Sequence, residues 1–329
     1  MNGKTIYFIF DAVNCSPNGD PDTGEQRINE ALNTAVVSDL RIKRYARDKF
    51  QTYGLDTFYF YDKESIIKSD GKSSGAKSRF ETFCKNKGID FKEKNVSTQN
   101  ILIDNFLDVR VFGGILTSKE NKAHVTGALQ FNAENNSINK ITHGKNLVNR
   151  GITTVFPSGD SKEQGGMGRD SYLRYGLFNI VGYFNPTIAK INKSSDEDLK
   201  ITLLSIWDGI SSINTRSKYG QTPIACIVVD HKTTEVQNGF LTHKFPSSFK
   251  PFNIIFKGDK TEYDLYSRDD YEFDFKPLFD LNDSDKIENI TIYCDDENVK
   301  DKYFTNLPNK FKLLNPFDEL LNTIEKWKK

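Results

Sequence analysis

The feature that most constrains this chain stands at its start. Residues 4–14, Lys-Thr-Ile-Tyr-Phe-Ile-Phe-Asp-Ala-Val-Asn, are rich in β-branched and aromatic residues and run straight into Ser16-Pro-Asn-Gly-Asp-Pro21. The first stretch reads as a strand and the second closes it. Pro17 and Pro21 restrict the backbone, while Gly19 permits a positive φ. A rigid, exposed turn is therefore expected directly after the first strand. A helix is expected at 38–50, with Ser38 as N-cap and Asp39 in its first turn.

The same signals continue along the chain. Residues 57–62 read as a short strand. Residues 63–97, rich in Lys, Ser and Gly, read as an insertion that is partly helical around Ser78 to Cys84. Residues 98–108 read as helical and lead into Asp108-Val-Arg-Val-Phe-Gly113. Val125 to Phe131 and Ser137 to Thr142 read as a strand pair. The glycine-rich residues 144–170 read as a long functional or mobile loop. Tyr172 to Phe184 follows as a long strand. Ser195-x-x-Asp198 forms a capping box before a helix with Leu199, Leu203, Leu204, Trp207 and Ile210 on one face. Ile224 to Val229 reads as a buried strand, and the acidic residues 250–300 hold short strands at Asn253 to Phe256 and Ile290 to Cys294. A last helix has Asn315 as cap, Pro316 at its first position, and Phe317, Leu320, Leu321 and Ile324 on one face. Without the insertions this order suits an α+β, ferredoxin-like (RRM-like) sheet with helices on one face.

Several function classes drop out. No apolar run approaches the roughly 18 residues of a membrane span, and no signal-peptide pattern opens the chain, so a cytoplasmic protein is expected. Cys15, Cys84, Cys226 and Cys294 are widely spaced, which speaks against a zinc ribbon or a disulfide framework. Asp70-Gly-Lys-Ser73 ends like a P-loop, but Ile66 stands where the first glycine belongs. Asp20-x-Asp22 begins like a calcium loop, but Gly24 and Ala31 occupy ligand positions. His124, His143, His231 and His243 stand singly and read as structural. Asp11, Asp20 and Asp22 are candidates to gather around a catalytic metal, against the plainer role of holding a turn.

Net charge is zero, with 45 basic and 45 acidic residues, but its distribution is uneven. Residues 1–150 carry 22 Lys and Arg against 18 Asp and Glu, and the remainder reverses the sign. On a wheel of residues 38–50, Ile42, Tyr45, Ala46 and Phe50 share one arc; Lys43, Arg44 and Arg47, with Arg41 beside them, share the other. Such a stripe can track phosphates. A second basic cluster is Asn214-Thr-Arg-Ser-Lys-Tyr-Gly-Gln221, and Arg150 and Arg169 bracket the glycine-rich segment.

Six stretches occur in the order found in one known family: Ser16-Pro-Asn-Gly-Asp-Pro21, Val37-Ser-Asp-x-Arg41-x-Lys-Arg44-x-x-Arg47-Asp48, Asp108-Val-Arg-Val-Phe-Gly113, Thr126-Gly-Ala-x-Gln130-Phe131, Gly166-Met-Gly-Arg-Asp170 and Thr215-Arg-Ser-Lys218. With them the chain resembles the Cas-seven family, the backbone subunit of type I CRISPR interference complexes (Cascade). The Thr-Arg-Ser-Lys turn favours the subtype I-B branch over I-C. Cys15 and Ser16 depart from the family's usual Ala and Asn.

The resemblance implies an RRM-like palm with finger and thumb insertions, placed at about 63–105 and 145–170, and an acidic C-terminal extension from about 250 that ends in a helix. It implies copies stacked head to tail along CRISPR RNA, presenting the guide for pairing with target DNA. It implies partners in the Cas-five and Cas-eight subunits, and in Cas-six and small subunits in some complexes. No cofactor is expected. The RNA-binding residues it implies are Asn18, Gly19, Arg27, Arg41, Lys43, Arg44, Arg47, Arg110, Gln130, Arg150, Met167, Arg169, Arg216 and Lys218. Since the guide reads sequence, such a protein needs only shape and charge toward the backbone. The alternative is a metal-dependent endoribonuclease using the loop aspartates.

Overall fold

The computed structural model describes residues 1–59, 75–91, 97–117, 122–157, 165–246 and 248–327, with backbone alone at 152–157 and 165–169. Strand β1 (Gly3–Cys15) is buried along its first ten residues. Shorter strands follow: β2 (Ile28–Asn29), β3 (Thr34–Ser38), β4 (Gly113–Leu116), β5 (Ala123–Thr126), β6 (Leu129–Phe131) and β7 (Glu134–Asn136). Next come β8 (Leu147–Pro157), β9 (Gly165–Phe184) and β10 (Gln221–His231). The last strands are β11 (Thr233–Val236), β12 (Gly239–Thr242), β13 (Asn253–Phe256), β14 (Tyr271–Asp274), β15 (Ile287–Tyr293) and β16 (Phe311–Leu314).

The main sheet has the order β16-β15-β10-β1-β9-β6, with β8 paired to β9. β1 is antiparallel to both neighbours, and only β15 and β16 run parallel. The pleat sends alternate side chains of β1 to opposite faces. Ile6, Phe8, Phe10 and Ala12 enter one core, and Tyr7 and Ile9 enter the other.

Two helices cover the first face. Helix Asp39–Thr52 is capped by Ser38, whose side chain accepts from the Arg41 N–H, and it buries Ile42, Tyr45, Ala46 and Phe50 as their spacing predicts. Helix Asp196–Ser211 starts at a complete capping box between Ser195 and Asp198 and buries Leu199, Leu203, Leu204, Trp207 and Ile210. The second face is covered as well. Phe252, Leu265, Tyr271, Phe273, Phe275 and Leu278 from the acidic stretch, with Phe304 just beyond it, pack there. Each fully buried Phe contributes about 1.5–3 kcal/mol by leaving water. Asp11 on β1 anchors this layer: Arg268 donates to its carboxylate from Nε at 2.6 Å and Nη2 at 3.1 Å, and the Tyr175 hydroxyl donates at 3.3 Å.

A third core lies apart. Phe58, Phe80, Cys84, Leu102, Phe106 and Val125 cluster among helices Ala76–Lys87, Thr98–Asn105 and Leu107–Phe112 and the β4–β5 hairpin.

Some expectations change. The described part of 57–62 is no strand, because the N–H groups of Phe58 and Tyr59 are taken by the Asp108 carboxylate instead of a ladder. Val125 and Phe131 lie in different sheets, and Ser137–Thr142 forms only an isolated bridge, Ser137 to Phe178. The described part of the glycine-rich stretch is largely strand. Leu147–Pro157 and Gly165–Phe184 pair as antiparallel strands, extending β9 seven residues before Tyr172. In helix Pro316–Trp327 the buried positions are Pro316, Leu320 and Thr323, while Leu321 is exposed. All four cysteines are free and buried. Burial pushes the Cys15 thiol up to about 12. His231 is buried against the Thr5 hydroxyl at 2.7 Å. The Asp70–Ser73 stretch lies outside the described residues. No helix among the described residues is long and apolar enough to cross a membrane.

Arg268→Ala strands a buried carboxylate, and urea unfolding is expected to show a loss of about 3 kcal/mol. Arg268→Lys should recover only part of it, because an ammonium cannot make the two-pronged contact.

Candidate nucleic-acid interface

The turn after β1 does not stand free. The Val13 N–H donates to the Gly220 carbonyl at 2.7 Å and the Ser16 N–H to the Ser217 carbonyl at 2.6 Å. Lys218 Nζ donates to the carbonyls of Ser16 and Pro17 at 3.0 and 3.4 Å. Turns 16–21 and 214–221, two hundred residues apart in sequence, thus lie against each other at one end of the sheet. Gly220 is required there, since a Cβ would strike the Val13 carbonyl.

Gln26 closes the excursion. Its Oε1 accepts from the Ser16 hydroxyl and the Asn18 N–H, both at 3.1 Å, and its Nε2 donates to the carbonyls of Arg27 and Val36. Asn18 Oδ1 faces inward and accepts from the N–H and hydroxyl of Ser38, tying the turn to the helix cap. The front of the turn is therefore buried, contrary to the exposed turn expected, and its Asn18 N–H is already used. Gly24, at φ 71°, takes the left-handed conformation; Gly19 does not. Asp20 accepts from the N–H groups of Asp22 and Thr23, the turn-holding role weighed against metal binding.

Two cations at this end lack a carboxylate among the described residues. Arg41 lies 4.0 Å from the Tyr45 ring centroid, and its Nε and Nη2 are buried without a hydrogen-bond partner. Lys218 touches only carbonyls. Burial first, and then the charge of Arg41, pull its pKa down to about 8. Two uncompensated cations held this close suit an anion. Around them, Arg216 grips Asp170 with two bonds of 2.9 and 2.7 Å. Arg150 sits opposite Asp170 in the strand register, over the Tyr172 ring. Arg27 is 3.4 Å from Asp20.

The remaining basic candidates are tied elsewhere. Lys43 is buried and donates to Asp39 and Gln130, both at 3.0 Å. Gln130 in turn donates to the carbonyls of Phe112 and Gly127. Arg47 donates to the fully buried Asp108 at 3.0 Å and lies beside the rings of Tyr59 and Phe112. Arg110 is clamped by Asp198 and the Ile103 carbonyl. Of the expected cationic stripe only Arg44 is well exposed, paired to Asp48 at 2.6 Å. The wheel identified the face but not the carboxylates that other segments bring to it. Reversing Lys43 and Arg47 would therefore disturb a buried network, not probe a surface. The side chains of Met167 and Arg169 lie outside the described residues. Among the described residues no group of three or more His, Cys, Asp or Glu could hold a metal. Asp11 is instead spent on Arg268.

The sequence matches the family described as "CRISPR-associated protein Cas7" over residues 2–276. The chain belongs to the Cas7 family. A relative from Haloferax volcanii with that same description is 24% identical over 319 residues, spanning 90% of this chain and 87% of the relative. Among solved structures, a chain of a "CRISPR RNA-guided surveillance complex, pre-nicking" overlays with a TM-score of 0.49 at 12% identity, covering 98% of this chain and 99% of that one. A chain of a "CRISPR RNA-guided surveillance complex" overlays at 0.45 and 12%, covering 99% of each.

The motifs of this Cas7-family chain divide in two. Those at 16–21, 170 and 215–218 gather at the sheet end with Arg41. Those at 108–113 and 126–131 form the clamp around Asp108 and Gln130. Gln26, Asp170 and Gly220 were missed as site-forming residues. Asp170 lay inside a quoted motif, but its role needed Arg216 beside it.

Asp108→Ala removes the acceptor of two backbone N–H groups and Arg47. A loss of about 3 kcal/mol or more is expected in urea unfolding.

Proposed function

We propose that this chain is the non-catalytic backbone subunit of a type I CRISPR interference complex, of the I-B branch. It oligomerises head to tail along CRISPR RNA and presents the guide to target DNA in the cytoplasm, together with Cas-five, Cas-eight and accessory subunits. The unit β1, helix 39–52, β6, β9, helix 196–211 and β10, in sheet order β10-β1-β9-β6, is read as its RRM-like palm. The cluster with its own core around Phe80 is read as the fingers, and the β8–β9 hairpin as the thumb. The acidic residues from about 250 on are read as the layer that closes the second face of the palm, directed away from RNA.

The observation that carries this reading is the meeting of turns 16–21 and 214–221 around Arg41 and Lys218, cations that no carboxylate among the described residues neutralises. Most of both sheet faces is covered, and these basic groups lie at the ends of the strands. The endoribonuclease alternative finds no support: Asp11 is held by Arg268, Asp20 holds its own turn, and no metal-binding group of acids occurs among the described residues.

The deciding experiment is expression with a CRISPR array and sequencing of the RNA that copurifies. Protected guide RNA in a high-mass particle is expected. A nucleic-acid-free monomer, even with the companion subunits supplied, would overturn the proposal.

Lys218 adds a signed pH dependence. It is charged below about pH 8 and loses its proton above, so RNA affinity is expected to hold at neutral pH and fall as pH rises past 8. Lys218→Arg should flatten the fall, since a guanidinium keeps its charge. Fluorescence anisotropy at constant salt checks both.

A further inference from the structure

Tyr219 is the most exposed large apolar side chain among the described residues, at 76%. A lone exposed ring is unremarkable on a surface; the setting of this one is not. Its N–H donates to the Thr215 carbonyl at 2.9 Å, as does that of Lys218. The residues on either side are fixed: Lys218 by the carbonyls of Ser16 and Pro17, and Gly220 by the Val13 N–H and by a close fit that admits no Cβ. The ring is thus presented by a rigid turn, next to Lys218 and close in sequence to Arg216. A solvent-facing ring on the same turn as Lys218, a cation without a carboxylate among the described residues, matches the combination of ring and basic group by which proteins hold single-stranded nucleic acid without reading its sequence. The cations take the backbone, and the ring takes the face of a base.

We propose that Tyr219 is a base-stacking residue, receiving one unpaired base of RNA whose adjoining phosphate sits at Lys218 and Arg41. This rests on the RNA-binding reading above and names a contact that Arg216 and Lys218 alone do not supply.

The test is anisotropy of the full-length chain with a fluorescent single-stranded RNA, and with the same RNA made abasic, over a range of NaCl concentrations. Tyr219→Ala should weaken binding to intact RNA roughly five- to hundred-fold. The slope of log affinity against log salt should not change, because no phosphate contact is lost. Tyr219→Phe and Tyr219→Trp should bind like the parent. Abasic RNA should bind the parent more weakly and show little further loss with Tyr219→Ala.

Equal losses on intact and abasic RNA would overturn the stacking role and indicate a contact between protein copies. So would unchanged binding by Tyr219→Ala. The double variant Arg216→Glu, Lys218→Glu separates the two readings. Its loss of binding on both RNAs, with Tyr219→Ala unaffected, would sink the ring's role and keep the RNA site. If the parent chain binds neither RNA, both readings fall together.

Discussion

Strand β1 is bonded on both edges and buried on both faces, and the rest of the structure follows from that. A strand in this position can carry almost no polar side chain that lacks a partner. Its one buried carboxylate, Asp11, is met by Arg268 from the layer above and by Tyr175 from the neighbouring strand β9. With the helices on one side and the aromatic layer on the other, most of both sheet faces is covered; a cavity of about 510 Å³ stays open between Tyr7, Val181 and Tyr183 and the segment from Lys244 to Phe249. Function is displaced to the loops at the strand ends, where a rigid scaffold positions exposed groups. The abrupt Ser16–Pro21 turn marks the place where β1 leaves the sheet and the candidate interface begins.

Carboxylates sort the basic residues. Arg47, Lys43 and Arg110 each meet an acid in a dry or half-dry setting, so they hold elements together, and removing either partner is costly. Arg41 and Lys218 meet none among the described residues. Their mutual repulsion and partial burial make them an unfavourable pair until an anion arrives, which is the condition of a binding site and not of a strut. Arg41, of the second kind, shares helix Asp39–Thr52 with Lys43 and Arg47, of the first.

The turns at 16–21 and 214–221 show how such a site is kept in shape. Gln26 satisfies the front of the first turn from within, Ser217 and Lys218 hold it from above, and Gly220 lets two backbones approach where a side chain would not fit. Each device removes freedom before any ligand binds, which lowers the ordering cost of association.

Much of this was legible in the sequence. The first strand, the capped helices at 39–52 and 196–211 and the buried strand at 221–231 carry strong local signals in apolar spacing and caps, and they form where expected. The family motifs marked the segments that gather at the sheet end. What failed were assignments that depend on partners. TFYFYD has the composition of a strand, yet in its described part Asp108, about fifty residues on, takes the N–H groups of Phe58 and Tyr59. The glycine-rich stretch reads as loop, yet its described residues at 147–157 and 165–170 pair as strands. Amino-acid sequence by itself determined which segments are helix or core strand, because caps and periodicity act over a few residues. Only the tertiary structure decided which cations are neutralised, which turn faces are covered and where the free surface lies, because a charge is compensated by whatever carboxylate the fold brings beside it.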